Sequence, residues 1–345
     1  MAGVPVSCYR MLLFVIVGAI LLLPAMADNA WSQTRGPHGR SSAMTAPTRP
    51  PLTPKGAETA RSTPEAPAPK EGICRIVVRK FFSSACSQEM AYYAFVPGGV
   101  GSGKRYPVLY LLHGAFGSYR DWKDHAGKEL CELASKYRLI IITPEGENFG
   151  WYADSRFLKN NHIESYFFKE LIPDVERNFP ANGLRSIAGL SMGGHGAFVL
   201  CLRHPGQFVS VSSMSGILDI TRHKRQWRLS KVFGPYGNNS AVWNRHSVLK
   251  LLAEQKEQRY IRSLPMLITV STGDPYSLDD NRLVHEELDS LKISHCYRES
   301  AGTHDWTYWL SELPQHVAFH AEQLKRARLR IRKQLTPGPD HARCF

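Results

Sequence analysis

The sequence falls short of several features that would each have set its class. Its N-terminal apolar run, residues 11–23, is 13 residues long, below the roughly 18–20 needed to span a bilayer as a stable anchor. No C-x-x-C pair occurs, and no His/Cys cluster has metal-ligand spacing, so the pattern offers no zinc site. Acidic residues are scarce, 30 Asp and Glu against 43 Lys and Arg, a formal charge of +13. Much of that excess is local: Lys325, Arg326, Arg328, Arg330, Arg332 and Lys333 follow one another without an acid between them. Such a basic stripe suits weak contact with an anionic surface, or simply a solvated helix end. Nucleic-acid recognition motifs are missing too, so that partner is not expected.

What is present fits a globular protein. The chain has 345 residues, 43% hydrophobic and 10% aromatic, enough for one large domain or two small ones. Arg10, the short apolar run, Pro24 and then Ala25-Met26-Ala27 follow the order of a cleaved secretory signal, residues 1–27. The protein is therefore expected to be secreted or periplasmic, with an uncleaved anchor as the alternative. Removing that segment takes away Arg10 alone and leaves +12. Residues 28–72 read as a Pro-rich disordered linker, with eight prolines between Arg35 and Lys70 and no hydrophobic period. A folded domain is expected over 73–326, followed by a basic helix end and tail over 327–345. Six cysteines remain after the signal. Sequence cannot choose among their pairings; Cys74 with Cys86 is the simplest guess, and Cys131 and Cys201 fit buried free thiols on apolar helix faces equally well.

From residue 74 onward, strand-like and helix-like patterns alternate. Residues 75–78 and 91–96 read as an opening antiparallel pair. The apolar runs 108–112, 139–142, 186–188, 209–211 and 266–270 read as strands buried on both faces. Amphipathic stretches near 126–137, 164–179, 192–204 and 280–292 fall between them. This order predicts an α/β fold with a mostly parallel sheet and helices on both faces. Residues 219–262 break the rhythm and are expected to form a small cap at the sheet's carboxyl edge, where open α/β sheets bind ligands.

The densest chemical signal is Gly189-Leu190-Ser191-Met192-Gly193. This is the G-x-S-x-G pattern of a nucleophile elbow, a sharp strand-to-helix turn that lifts a serine Oγ above the sheet. A serine needs a base, and in this fold the base comes last in the chain. Of fourteen histidines, His304 alone combines a preceding strand pattern, a loop position and a following helix. His285 and His295 fall inside a helix and a strand, His316 and His320 on the terminal helix, and His195 just after the elbow, packed against sheet or pocket wall. Asp274 directly follows the strand pattern 266–271 and is the favoured acid. Asp279 and Asp280 are its rivals, although they suit the acidic N-terminus of the next helix. The amide after the serine, that of Met192, and the Ala115 amide in the loop after strand 108–112 are the candidate oxyanion donors.

Four segments together resemble one family: 106–114 (YPVLYLLHG), 151–155 (WYADS), 185–198 (RSIAGLSMGGHGAF) and 302–306 (GTHDW). They resemble the esterase family that includes feruloyl and acetylxylan esterases, S-formylglutathione hydrolases and the antigen 85 mycolyltransferases. The resemblance covers roughly residues 73–325. It implies the α/β-hydrolase fold, ester chemistry, no metal or cofactor, a triad of Ser191, Asp274 and His304, and an oxyanion hole from Ala115 and Met192. It also implies that Trp151 and Tyr152 line the acyl or alcohol pocket. The chain departs from the family pattern by one extra residue between Asp274 and Asp280-Asn281. The expected function is an exported serine carboxylesterase acting on small-molecule or polysaccharide-linked esters. The alternatives are an acyltransferase of envelope glycolipids or polysaccharides, and a non-catalytic surface-binding protein that kept the fold.

Overall fold

The computed structural model describes residues 74–98 and 103–335. The expected signal and linker, the last residues of the tail, and Cys8 and Cys344 lie outside the described residues. Among the described residues no helix is long and apolar enough to cross a membrane.

Eight strands form one sheet: β1 (Arg75–Ser83), β2 (Gln88–Val96), β3 (Tyr106–Leu112), β4 (Ile140–Pro144), β5 (Ala181–Leu190), β6 (Val211–Met214), β7 (Met266–Ser271) and β8 (Cys296–Ser300). Their spatial order is β1-β2-β4-β3-β5-β6-β7-β8. β1 pairs antiparallel with β2, and β2 with β4; every other neighbour is parallel. This is the α/β-hydrolase fold.

The central strands β3, β4 and β7 are buried along nearly their whole length, as their unbroken apolar runs demand. Two apolar layers result. One holds Tyr110, Ile187, Phe198 and Trp243; the other holds Leu109, Leu111, Trp122 and Leu313.

The helices are α1 (Asp121–Tyr137), α2 (Ile163–Tyr166), α3 (Ile172–Asn178), α4 (Met192–Arg203), α5 (Leu229–Phe233), α6 (Tyr236–Asn244), α7 (Val248–Gln255), α8 (Arg259–Ser263), α9 (Leu278–Ser290) and α10 (Trp306–Leu335), with a π-helical turn at Phe167–Leu171 between α2 and α3. The expected cap is a run of short helices, α5 to α8, between β6 and β7. The end of α10 carries Lys325, Arg326, Arg328, Arg330, Arg332 and Lys333, all exposed.

The guessed bridge is corrected. Cys74 is bonded to Cys131 on α1, and Cys86 is a buried free thiol. Cys74 stands before β1 and Cys86 in the turn after it, so nine residues of extended strand separate them, about 30 Å at 3.3 Å per residue. No disulfide spans that distance. Cys131 is therefore not a free thiol, whereas Cys201 is buried and free, its Sγ 3.2 Å from the Tyr260 hydroxyl.

Candidate active site

β5 ends at Leu190, α4 begins at Met192, and Ser191 makes the whole turn between them at φ 50°, ψ −119°. That is strained backbone for a residue with a Cβ, and close packing holds it. The Ser191 N–H donates to Met214 O of β6 at 3.0 Å, and its carbonyl accepts from His195 N–H at 3.1 Å. A Cβ at Gly189 would sit 2.3 Å from Gly193 O, and one at Gly193 would sit 2.5 Å from His113 O. The two glycines of the motif let three backbone segments meet.

β7 and β8 deliver the partners. Past their ends the pairing continues, with Thr272 N–H donating to Ser300 O at 2.8 Å and Gly273 N–H to Gly302 O at 3.1 Å. This joins the loop carrying Asp274 to the loop carrying His304. Asp274 Oδ1 accepts from the Tyr276 and Ser277 amides, both at 2.9 Å, and Oδ2 from the Ser277 hydroxyl at 2.6 Å. His304 Nδ1–H donates to Asp274 Oδ2 at 2.7 Å, and the Ser191 hydroxyl donates to His304 Nε2 at 2.9 Å. A carboxylate can only accept, so it fixes the imidazole tautomer that leaves Nε2 facing the serine. The Asp274 side chain is fully buried. Burial pushes its carboxyl up, but the hydrogen bond and charge of His304, with the Ser277 donors, outweigh it and hold the group at about 2. The ring of His304 lies between two aromatic edges, Tyr276 at 5.3 Å and Trp309 at 5.1 Å.

The rival acids point elsewhere. Asp280 is buried against Arg222 Nε at 3.1 Å and His223 Nε2 at 2.8 Å, while Asp279 is exposed with Arg222 at 3.6 Å. Both lie in the first turn of α9.

Ser191 and His304 open onto a cavity of about 240 Å3. Ala115, Trp151, Trp227, Tyr276, Trp306 and Trp309 are among its walls. Met192 is the first residue of α4, where an amide has no intrahelical acceptor, and Ala115 stands in the loop after β3. That loop is braced from behind: Gly146 N–H donates to His113 Nε2 at 3.0 Å, and the Tyr152 hydroxyl to His113 O at 3.0 Å.

Of the two expected pocket aromatics, Trp151 does line the cavity. Tyr152 does not: its ring is fully buried against Gly146 and Gly196. His195 lies behind the cavity wall: it is fully buried, its Nε2–H donates to His246 O at 2.7 Å, and its ring packs at right angles against that of Trp151 at 5.2 Å. Burial lowers it to about 3, so it stays neutral.

Trp227, Tyr276 and Trp309 were not anticipated. Two had a usable signal, since Tyr276 lies two residues past the acid and Trp309 five residues past the base, in the first turn of α10. Trp227 comes from the cap, at φ 45°, and nothing local in the sequence marks it.

Residues 83–320 match the model of the family described as "Putative esterase". An acetyl esterase of Caldicellulosiruptor saccharolyticus is 30% identical over 218 residues, 59% of this chain and 78% of that protein. A solved ferulic acid esterase superposes with a TM-score of 0.64 at 27% identity, over 73% of this chain and 99% of that one. An S-formylglutathione hydrolase from Agrobacterium tumefaciens shares the fold, with a TM-score of 0.64 at 23% identity over 73% of this chain and 96% of that one. With the match spanning most of the described chain, this protein belongs to the esterase family of α/β-hydrolases and is a carboxylic ester hydrolase.

Proposed function

We propose that the protein is an exported serine esterase that works through an acyl-enzyme on Ser191. The observation that carries this reading is the unbroken chain of hydrogen bonds from Asp274 through His304 to Ser191, at 2.7 and 2.9 Å. Ser191 Oγ attacks the ester carbonyl carbon while its proton passes to His304 Nε2. The carbonyl oxygen takes up negative charge, and the Ala115 and Met192 amides donate to it. Collapse breaks the bond to the alcohol, which leaves with the proton held on His304. Water then repeats the sequence on the acyl-enzyme and frees the acid and the serine. Asp274 orients His304 and stabilises its cationic form.

The cavity's size and its indole walls support short acyl groups or a small aryl acid as the part held beside Ser191. The alcohol side fits a sugar of cell-wall or plant polysaccharide, or a short-chain lipid ester. Export rests on the N-terminal sequence pattern and gains support from the Cys74–Cys131 bond, a feature of oxidising compartments. The exposed basic end of α10 supports weak contact with an anionic surface. Hydrolysis of p-nitrophenyl acetate, butyrate and decanoate tests the acyl preference, with turnover falling steeply by decanoate. Acetylated and feruloylated polysaccharides test the alcohol. Acyl transfer to an added sugar, in preference to water, would favour the acyltransferase alternative; no turnover of any short ester would remove the proposal.

A further inference from the structure

Away from the cavity, His285 and Asp289 stand one turn apart on α9, and His295 stands in the bend that leads from α9 into β8. Each offers one ligand atom, all within 4.8 Å of one another, and no other such group of three occurs among the described residues. One histidine already presents a lone pair and the other faces it. His295 Nδ1–H donates to Ile293 O at 2.9 Å, which leaves the lone pair on Nε2. His285 Nδ1 lies 2.8 Å from that Nε2, and its ring is steadied by stacking on Tyr297 at 4.1 Å and 11°. Asp289 Oδ2 lies 3.7 Å from His285 Nε2.

We propose that His285 Nδ1 and His295 Nε2 bind a late first-row divalent cation, Zn2+ or Cu2+, with Asp289 supporting His285. Without metal, His285 Nδ1–H donates to His295 Nε2. On binding, the His285 proton resides on Nε2, where the Asp289 carboxylate accepts it, and both facing nitrogens present lone pairs. Imidazole pairs select zinc and copper over magnesium and calcium, and a carboxylate behind a ligating histidine raises its basicity. Tetrahedral bonds of about 2.0–2.1 Å need the nitrogens about 3.3 Å apart, an opening of about half an ångström that this partly exposed surface can supply. Water completes the shell, since Asp289 is 65% exposed. The cation would tie α9, which follows the Asp274 loop, to β8, which leads to His304.

Calorimetric titration with Zn2+ and the spin-resonance spectrum with Cu2+ test this on the purified protein. The expected result is one Zn2+ equivalent that His285→Gln or His295→Gln weakens by about 100-fold and Asp289→Asn by about 10-fold. The Cu2+ spectrum should show two nitrogen ligands, reduced to one in either glutamine variant. Unchanged metal-free ester turnover in those variants would establish that their folds are intact. Absence of that equivalent in the wild type, or full binding in His295→Gln, overturns the site.

Discussion

His304 Nδ1 and Asp274 Oδ2 meet at 2.7 Å inside a turn that Asp274 itself organises by accepting from Tyr276 and Ser277. The same carboxylate fixes the loop and the imidazole, so removing its charge disturbs both. Asp274→Asn should lower kcat for a p-nitrophenyl ester by about 10^4, the cost of the wrong tautomer. Asp280→Asn should leave kcat within about threefold but lower stability by about 1 kcal/mol, the weakening of one hydrogen bond to the partly buried His223, since Arg222 is itself 43% exposed and solvated. Paired kinetics and thermal melts separate the two.

Glu164 sets an acid limit of its own. It is buried beneath Arg203 Nε at 3.0 Å and His204 Nε2 at 2.7 Å. Burial pushes its carboxyl up, but the His204 hydrogen bond and the Arg203 charge win and hold it at about 2. A depressed carboxyl stabilises the fold above its unfolded value near 4.3 and loses that contribution as pH falls through about 2. Glu164→Gln should therefore cost on the order of 3 kcal/mol at pH 7, with a difference from wild type that shrinks below pH 4. Denaturant melts at pH 7 and pH 3 read this directly.

The Cys74–Cys131 bond closes a loop of 57 residues. Chain entropy alone assigns such a loop about 4 kcal/mol at 25 °C. Cys131→Ser, or reduction of the native protein, should lower stability by about that amount while leaving ester turnover of the folded fraction unchanged.

Gly193 faces backbone, not flexible side chains: a Cβ there would sit 2.5 Å from His113 O and 2.6 Å from Leu112 O. Gly193→Ala should destabilise by about 3 kcal/mol, the upper end for overpacking, and abolish turnover even where the protein folds. A melt and a p-nitrophenyl acetate assay check both parts.

Much of this was legible in the sequence because it rests on local pattern. Unbroken apolar runs mark β3 and β7, the glycines of 189–193 mark a turn too tight for side chains, and chain order marks Asp274 and His304. What escaped depends on contacts between distant segments. Cys74 finds Cys131 because β1 carries Cys86 away, which no spacing reveals. Tyr152 turns inward because its ring fits against Gly146 and Gly196 and its hydroxyl finds His113 O, partners on three other segments. Trp227 reaches the cavity from a turn ahead of α5, outside any helix or strand, so no periodic pattern marks it.

The central claim is that Ser191 Oγ is the atom that takes the acyl group. Ser191→Ala, compared with wild type on p-nitrophenyl acetate at matched circular dichroism, tests it most directly. A fall in kcat of about 10^4 to 10^6 is predicted, as for removal of a triad nucleophile. Turnover within tenfold of wild type would contradict the account and move the chemistry to another residue.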